Sequence, residues 1–73
     1  MLTPEDMRLF QALRDWRNER SRREGIPPYL ICTNKQTAEM VARRVANRNQ
    51  LTQLEGFGKA KSERYGADIL ALV

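Results

Sequence analysis

The sequence predicts an all-α fold, a compact bundle of four to five helices in one domain that covers residues 1–73. Apolar residues recur three and four positions apart in several segments, which is the period of an amphipathic helix. Residues that favour helix N-caps precede these segments, and no segment alternates between polar and apolar residues as a half-buried strand does. A chain of 73 residues also has room for only one small hydrophobic core.

The first helix is predicted to begin at Thr3, which can act as the N-cap, with Pro4 in the first helical position. It is predicted to end at Gly25. Arg17 falls near the apolar side, so we expect its aliphatic stem to lie along the core and its head to pair with a carboxylate or a helix-end carbonyl. The apolar stripe consists of Leu9, Ala12, Leu13 and Trp16, and the opposite side carries Gln11, Asp15, Asn18 and Arg22.

The next segment, residues 26–32, is apolar and contains Pro27 and Pro28. Because proline lacks an N–H group, we expect an extended, non-helical connector that turns Leu30, Ile31 or Cys32 inward. Cys32 is the only cysteine, which excludes an internal disulfide framework. Its apolar neighbours predict that the thiol lies in the core. A single cysteine without a disulfide partner is typical of a reducing, intracellular compartment.

Two further helices follow the connector. Thr33 and Gln36 predict a capping box for the second helix, with Asn34 as a competing cap. Asn47 and Gln50 repeat this pattern and predict a short third helix that ends at Leu54. The second helix is apolar at Met40, Val41 and Val45, its other side carries Arg43 and Arg44, and the inward stripe of the last helix is Tyr65, Ile69 and Leu72.

Gly56 and Gly58 bracket Phe57 and predict a tight turn between two helices, because glycine adopts positive φ without steric cost. This layout is similar to a helix-hairpin-helix element. The first backbone N–H groups of the helix after the turn lack partners, and together with the helix dipole they suit a phosphate group. Lys59 and Lys61 flank this point. The alternative is that both glycines serve only to cap and turn the chain.

Positive charge is concentrated in the second half of the chain. The formal net charge is +4, and the six arginines and five acidic residues of residues 1–25 nearly cancel. The surplus therefore lies around the glycine turn and predicts weak, salt-sensitive binding to a polyanion. Between residues 35 and 64, three acidic residues face seven basic ones: Lys35, Arg43, Arg44, Arg48, Lys59, Lys61 and Arg64.

The sequence lacks the residues that most enzymes and metal sites use. It contains no histidine and one cysteine, so we expect no catalytic residues, no metal site and no cofactor. The paired acids Glu5 and Asp6 stand at a helix start, where the helix dipole explains them. No apolar stretch is long enough to span a membrane. The domain is therefore predicted not to be an enzyme.

Taken together, these motifs resemble the HRDC domain, the helicase and RNase D C-terminal module. The resemblance extends over nearly the whole chain. It departs from the family pattern at Asn34, where an acid is usual, at Thr37, where a leucine is usual, and near Val45, where a proline is usual. The matching motifs are Leu13-Arg14-Asp15-Trp16-Arg17, Gly25-Ile26-Pro27-Pro28-Tyr29, Leu51, Leu54, Gly56-Phe57-Gly58, Lys61, Tyr65-Gly66 and Ile69-Leu70.

The resemblance implies an accessory module, excised from a longer protein, that binds single-stranded or branched DNA weakly and without sequence preference in a RecQ-type helicase. Tyr29, held by two prolines, is the candidate for stacking on a base, and the alternative is a tyrosine at the edge of the core. We expect a monomer with no membrane partner. Candidate nucleic-acid contacts are Tyr29, Lys35, Arg43, Arg44, Arg48, Gly56, Gly58, Lys59 and Lys61.

Two other functions remain open at this stage. One is a docking or regulatory module that contacts its own helicase core or another protein and binds no DNA. The balanced charges of the first helix would suit such docking. The other is an RNA-holding domain of an RNase D-like exonuclease. The basic surplus around the glycine turn favours nucleic acid over docking.

Overall fold

Four α-helices and one 3-10 turn make up residues 3–73, the part of the chain that the computed structural model describes. No strand occurs within these residues, so the predicted all-α class is confirmed. The elements are α1 (Pro4–Glu24), the 3-10 turn (Pro28–Leu30), α2 (Asn34–Ala42), α3 (Arg48–Thr52) and α4 (Gly58–Leu72).

Both predicted capping boxes are present. The N–H of Asp6 donates to Thr3 Oγ1 over 3.1 Å, and the Asp6 carboxylate accepts from the N–H of Thr3 over 3.2 Å. Thr33 and Gln36 exchange the same pair of bonds at the start of α2, over 3.1 and 2.9 Å. Asn34 is therefore the first residue of α2 and does not cap it. These bonds satisfy backbone N–H groups that a helix start leaves without partners.

The third helix is shorter than expected. Asn47 caps α3 as predicted, because its side-chain oxygen accepts from the N–H of Gln50 over 2.9 Å. The side chain of Gln50 reaches back to the N–H of Ala46 and does not close a box on the cap residue. The helix ends at Thr52, so the predicted end at Leu54 was wrong. Leu54 is nonetheless buried, in the turn that follows the helix.

The connector was predicted to be extended throughout, and Pro27 is extended, but residues Pro28–Leu30 are helical. Leu30 N–H donates to the carbonyl of Pro27 over 3.1 Å and Ile31 N–H to that of Pro28 over 3.0 Å, which closes a 3-10 turn. The prediction was wrong because the first position of a helical turn needs no N–H group, so Pro28 fits there. Ile31 and Cys32 point inward as expected, whereas Leu30 is 45% exposed.

The end of α2 also differs from the prediction. The helix stops at Ala42, so Arg43 and Arg44 lie in the turn beyond it and not on its solvent face. Arg44 adopts a left-handed conformation with φ of 51°, and its N–H and that of Val45 bond back to carbonyls of α2. This is the Schellman geometry, here with arginine where glycine is usual. Val45 is still buried, because the turn directs it back to the core.

One hydrophobic core joins all four helices. Trp16 packs against its edge, and its ring meets that of Tyr65 edge to face at 6.0 Å between centroids. Leu72 was predicted to face inward but is 40% exposed, since it lies at the last turn of α4. The buried apolar residues are Leu13, Ile31, Cys32, Met40, Val41, Val45, Leu51, Leu54, Phe57, Tyr65 and Ile69.

Helix α1 runs antiparallel to both α2 and α4. Its C-terminal end meets the middle of α4, where Glu24 contacts Arg64, and Arg20, one turn earlier in α1, contacts Asp68 one turn later in α4. Its middle meets the start of α2, where Arg17 contacts Asn34. The C-terminal part of α1, the connector and the first turn of α2 therefore lie together, and Ile26 and Leu30 of the connector share a groove with Lys61 in the first turn of α4. We call this region the connector end of the domain.

Candidate nucleic-acid interface

Arg17 fixes the connector to the bundle. Its side chain is buried, and Nη1 donates to the carbonyl of Cys32 over 3.2 Å and to Oδ1 of Asn34 over 2.8 Å. The predicted burial of the Arg17 stem is confirmed, but the acceptors are an amide oxygen and a connector carbonyl, not the carboxylate or helix-end carbonyl that was expected. Burial raises the pKa of the Cys32 thiol, so this group stays protonated and acts as a core residue. The two hydrogen bonds from Arg17 hold the C-terminal end of the connector, away from Pro27 and Pro28.

Tyr29 stands out from this fixed segment. Its side chain is 61% exposed, while Ile31 and Cys32, two and three positions later, are buried. This exposure rules out the alternative of a tyrosine at the edge of the core. Leu30 beside it is 45% exposed, so two large apolar side chains project from one short, rigid turn. These two neighbouring side chains make this turn a candidate contact surface.

A groove of about 250 Å³ joins this turn to α4. Ile26 and Leu30 form its apolar side, and the cationic side chains of Lys61 and Arg64 form the other. One of the predicted phosphate contacts, Lys61, therefore shares a surface with the residue next to Tyr29. We call this the connector groove; its lining residues are Ile26, Leu30, Ala60, Lys61, Arg64 and Tyr65.

Glu24 holds the α4 side of the connector groove in place. Its carboxylate accepts hydrogen bonds from Arg20 Nε over 2.6 Å, from the Tyr65 hydroxyl over 2.8 Å and from Arg64 Nη2 over 2.9 Å. The bonds from Arg20 and then Tyr65 are the main reasons that the pKa of Glu24 is lowered. Burial, followed by the bond to Glu24, raises the pKa of Tyr65. The guanidinium groups of Arg20 and Arg64 also lie 5.3 and 5.5 Å from the centre of the Tyr65 ring.

The glycine turn has the predicted geometry. Gly56 and Gly58 have φ of 78° and 74°, in the left-handed region that glycine favours. Nε2 of Gln36 donates to the carbonyl of Glu55 over 2.8 Å and so ties the turn to the start of α2. Phe57 precedes α4 and makes no side-chain cap bond. No side chain of the cap residue therefore occupies the start of α4, and phosphate binding at this point stays a prediction.

Lys35 lies in a separate groove beside Gly56, with a volume of about 280 Å³. Two acidic residues, Glu39 and Glu55, line the same groove. Their negative charge makes this surface less suited to phosphate than the connector groove is. Lys35 is exposed, but its surroundings are of mixed sign.

The structure does not bring the remaining predicted residues to the connector end. Arg43 and Arg44 follow the far end of α2, where Arg44 lies 3.9 Å from Asp6 at the start of α1. The stem of Arg48 packs on α4, since a Cβ atom added at Gly66 would lie 3.3 Å from Arg48 Cγ. The predicted set thus divides in two. The connector end holds Tyr29, Lys35, Gly56, Gly58, Lys59 and Lys61, with Lys35 and Gly56 in the groove of mixed charge, and other faces hold Arg43, Arg44 and Arg48.

Of the six residues that line the connector groove, only Lys61 was a predicted contact, and Leu30 and Arg64 are two of those that were missed. Leu30 was expected among the residues that turn inward, and only the 3-10 turn shows that it faces out. Arg64 is one of the seven basic residues between residues 35 and 64, but it was not a predicted contact. Its position three residues after Lys61, on the same face of a helix, is the sequence signal that could have identified it.

Within residues 3–73, no group of three or more potential metal-binding side chains comes together. The helices of that part of the chain include none that is both long enough and apolar enough to cross a lipid bilayer.

The fold and the connector end define a small helical accessory domain with a helix-hairpin-helix-like turn. The sequence profile of the HRDC domain family matches residues 6–73, so the chain belongs to the HRDC domain family, which is a family of small, non-catalytic accessory domains. The resemblance drawn from the sequence motifs is thereby confirmed.

Among curated proteins, the chain is similar to parts of larger helicases. It is 32% identical over 68 residues to the ATP-dependent DNA helicase RecQ of Haemophilus influenzae, covering 93% of this chain and 11% of that protein. It is 31% identical over 62 residues to RecQ of Bacillus subtilis, covering 85% and 10%. The ATP-dependent DNA helicase UvrD2 of Mycobacterium tuberculosis is 28% identical over 68 residues, covering 93% and 10%. The chain thus spans about a tenth of these relatives. No solved structure matches.

Proposed function

We propose that residues 1–73 are one accessory domain of a longer, RecQ-type DNA helicase, and that the domain binds single-stranded or branched DNA weakly and without sequence preference. Such binding would tune which DNA the helicase motor acts on. Family membership and the similarity to two RecQ helicases support the parent protein. The observation that carries the binding proposal is the exposed Tyr29 next to a groove in which Leu30 and Lys61 meet.

Tyr29 is the base-stacking residue in this proposal. Stacking of a base on an aromatic ring contributes about 1–3 kcal/mol and tolerates any sequence. The ring stands on a 3-10 turn that begins at Pro28 and is fixed two residues further on by the buried Ile31. A contact residue on such a rigid segment loses little conformational entropy on binding. An unpaired base presents the face that stacking requires, which favours single strands over duplex.

Lys59 and Lys61 are the phosphate contacts beside it. They lie in the first turn of α4, where the helix dipole and free backbone N–H groups also attract anions. Lys61 lines the connector groove, so a strand stacked on Tyr29 can place a phosphate next to this amine. Lys35, in its groove of mixed charge, and Arg43, Arg44 and Arg48, on other faces, remain predicted contacts, and a second arm of a branched DNA would be needed to reach them.

Replacing Tyr29 with Ala should weaken binding to single-stranded DNA several-fold, because a stacking contact is lost. The side chain is 61% exposed, so the domain should stay folded, which circular dichroism would check. The measurement is fluorescence-anisotropy titration with a labelled oligonucleotide. Unchanged affinity in a folded variant would refute the stacking role.

Replacing Lys59 and Lys61 together with Gln should reduce the slope of log affinity against log salt by roughly two phosphate equivalents. Arg8→Gln is the control, since Arg8 is exposed near the start of α1, far along the helix from the connector end. That change should leave the slope nearly unaltered. A double lysine variant with the slope of the native chain would make the glycine turn a purely structural element.

Protein docking is the second candidate function, and the exposure of Leu30 favours it. Leu30 and Tyr29 are neighbouring apolar side chains that a helicase core, or another protein, could cover. The two functions differ in their need for positive charge. Docking would be insensitive to the lysine changes, whereas DNA binding requires those cations.

A further inference from the structure

A third and larger groove runs between α1 and the connector. Its volume is about 550 Å³, roughly twice that of the connector groove. The two grooves share Ile26, and the larger one ends at Pro28, the residue before Tyr29. We call it the helix 1 groove; its lining residues are Asn18, Ser21, Arg22, Gly25, Ile26, Pro27 and Pro28.

The helix 1 groove has one apolar and one polar side. Ile26, Pro27 and Pro28 form the apolar side, and the fixed φ of the prolines keeps this wall rigid. Asn18 and Arg22, one helical turn apart on α1, form the polar side. The sequence placed both residues on the solvent face, because it gave no sign that the connector folds back along α1 after Gly25.

Asn18 is oriented by its neighbour. Nε and Nη2 of Arg17 both lie 3.4 Å from Asn18 Oδ1, so the oxygen of the amide faces the guanidinium group. The Nδ2 group of Asn18 then remains as a hydrogen-bond donor at the groove. No acidic side chain is among the lining residues, and Arg22 supplies a positive charge at the rim. An electron-rich, anionic ligand with a flat apolar face fits this combination.

We propose that the helix 1 groove holds an unpaired nucleobase of the same strand that stacks on Tyr29. In this arrangement Asn18 Nδ2 donates to a carbonyl oxygen of the base, and Arg22 contacts the adjoining phosphate. The inference rests on the proposed function and adds a base-binding subsite to it. The groove volume lies within the range of small-ligand sites. Since a base in a duplex is stacked and paired, the subsite adds affinity only for single strands.

The test uses Asn18→Leu, which keeps the approximate shape and removes the amide, and Arg22→Gln, which removes the charge. Each change should weaken binding to single-stranded oligothymidine about three- to tenfold, the range expected for one or two hydrogen bonds. For both variants, the affinity for duplex DNA should change by no more than it changes in Arg8→Gln. This control also removes one positive charge from α1. Circular dichroism would verify that each variant is folded.

The outcomes separate this inference from the proposed function. In one outcome, Tyr29→Ala weakens binding to single-stranded DNA, but Asn18→Leu and Arg22→Gln weaken it no more than the control Arg8→Gln does. The base subsite is then wrong and the proposed function stands. If the native domain binds no DNA, both fail. If both groove variants weaken single-strand and duplex binding equally, the groove contacts only backbone phosphate and the base subsite is refuted.

A second measurement reports on the groove directly. The side-chain amide signals of Asn18 in a nitrogen–proton correlation spectrum can be assigned, because they disappear in Asn18→Asp. Titration with oligothymidine should shift these signals. The amide of Gln11, on the same helix but outside the groove, provides the internal control. Equal shifts of both amides, or a shift of neither, would contradict a bound base at Asn18.

Discussion

Arg17 shows how much one side chain contributes to the connector end. A single guanidinium nitrogen bonds the backbone of Cys32 and the side chain of Asn34, and so joins α1, the connector and α2. The position of Arg17 on the apolar side of α1 was predictable from helical spacing. Its acceptors were not, because they lie 15 and 17 positions away and depend on the path of the connector. Asn34 supplies an acceptor at the position where the family usually has an acid.

Replacing Arg17 with Met should lower the free energy of unfolding by about 1–3 kcal/mol, because it leaves the buried carbonyl of Cys32 without its donor. Methionine retains the apolar stem, so the loss reports mainly the hydrogen bonds. Urea unfolding followed by circular dichroism provides the measurement. Arg8→Met, at an exposed position of the same helix, should change stability by no more than about 0.5 kcal/mol. Equal stability of the two variants would contradict the clamping role of Arg17.

At the scale of elements, Gln36 connects two predicted features that the sequence kept apart. Its Oε1 accepts from the N–H of Thr33 in the capping box of α2, and its Nε2 donates to the carbonyl of Glu55 in the glycine turn. The capping box follows from local spacing and was predictable. The second bond spans 19 positions and arises only when α2 packs beside the turn.

Gly56→Ala should destabilise the domain more than Gly58→Ala does. Both residues have positive φ, which costs a residue with a Cβ atom about 1–2 kcal/mol. A Cβ atom at Gly56 would also lie 2.9 Å from Gln36 Nε2, whereas one at Gly58 would meet no atom within 4 Å. Gly56→Ala therefore strains the bond to Glu55 in addition, and thermal unfolding would compare the variants. Equal losses would show that Gln36 adapts freely and does not fix the turn.

At the scale of the whole molecule, Glu24 and its three partners close the bundle. The carboxylate at the end of α1 binds Arg64 and Tyr65 on α4, while Arg20 bridges Glu24 and Asp68. The sequence predicted the helices that carry these residues and Tyr65 as a core position. It could not predict the network, since nothing local indicates that α1 and α4 are antiparallel. The same reason explains why the sequence offered Tyr29 and Lys61 as candidate contacts but did not predict the groove in which Leu30 and Lys61 meet.

The lowered pKa of Glu24 makes the stability of the fold dependent on pH. The ionised carboxylate stabilises the folded state above its ordinary pKa of 4.5, and this contribution is lost as the pH falls through the lower pKa of the folded state. Asp6, whose pKa is lowered mainly by its bond from the Thr3 backbone, acts in the same direction. Stability should therefore fall between about pH 5 and pH 2.

Glu24→Gln should lose part of this dependence. The variant should be less stable than the native chain at pH 7, and the difference should shrink towards pH 2, because protonation removes the same charge from the native protein. Thermal unfolding over this pH range measures both curves. Glu63→Gln, an exposed site on α4, is the control of equal charge. Curves that stay parallel for the native chain and Glu24→Gln would contradict the assignment.

The central claim is that the connector end binds DNA and prefers unpaired strands. The most direct measurement is a fluorescence-anisotropy titration of this chain with single-stranded, duplex and forked DNA at low and moderate salt. Binding should weaken with salt, and single-stranded and forked DNA should bind more tightly than duplex. No binding to any of the three at low salt would contradict the account and would assign the exposed Tyr29 and Leu30 to protein docking.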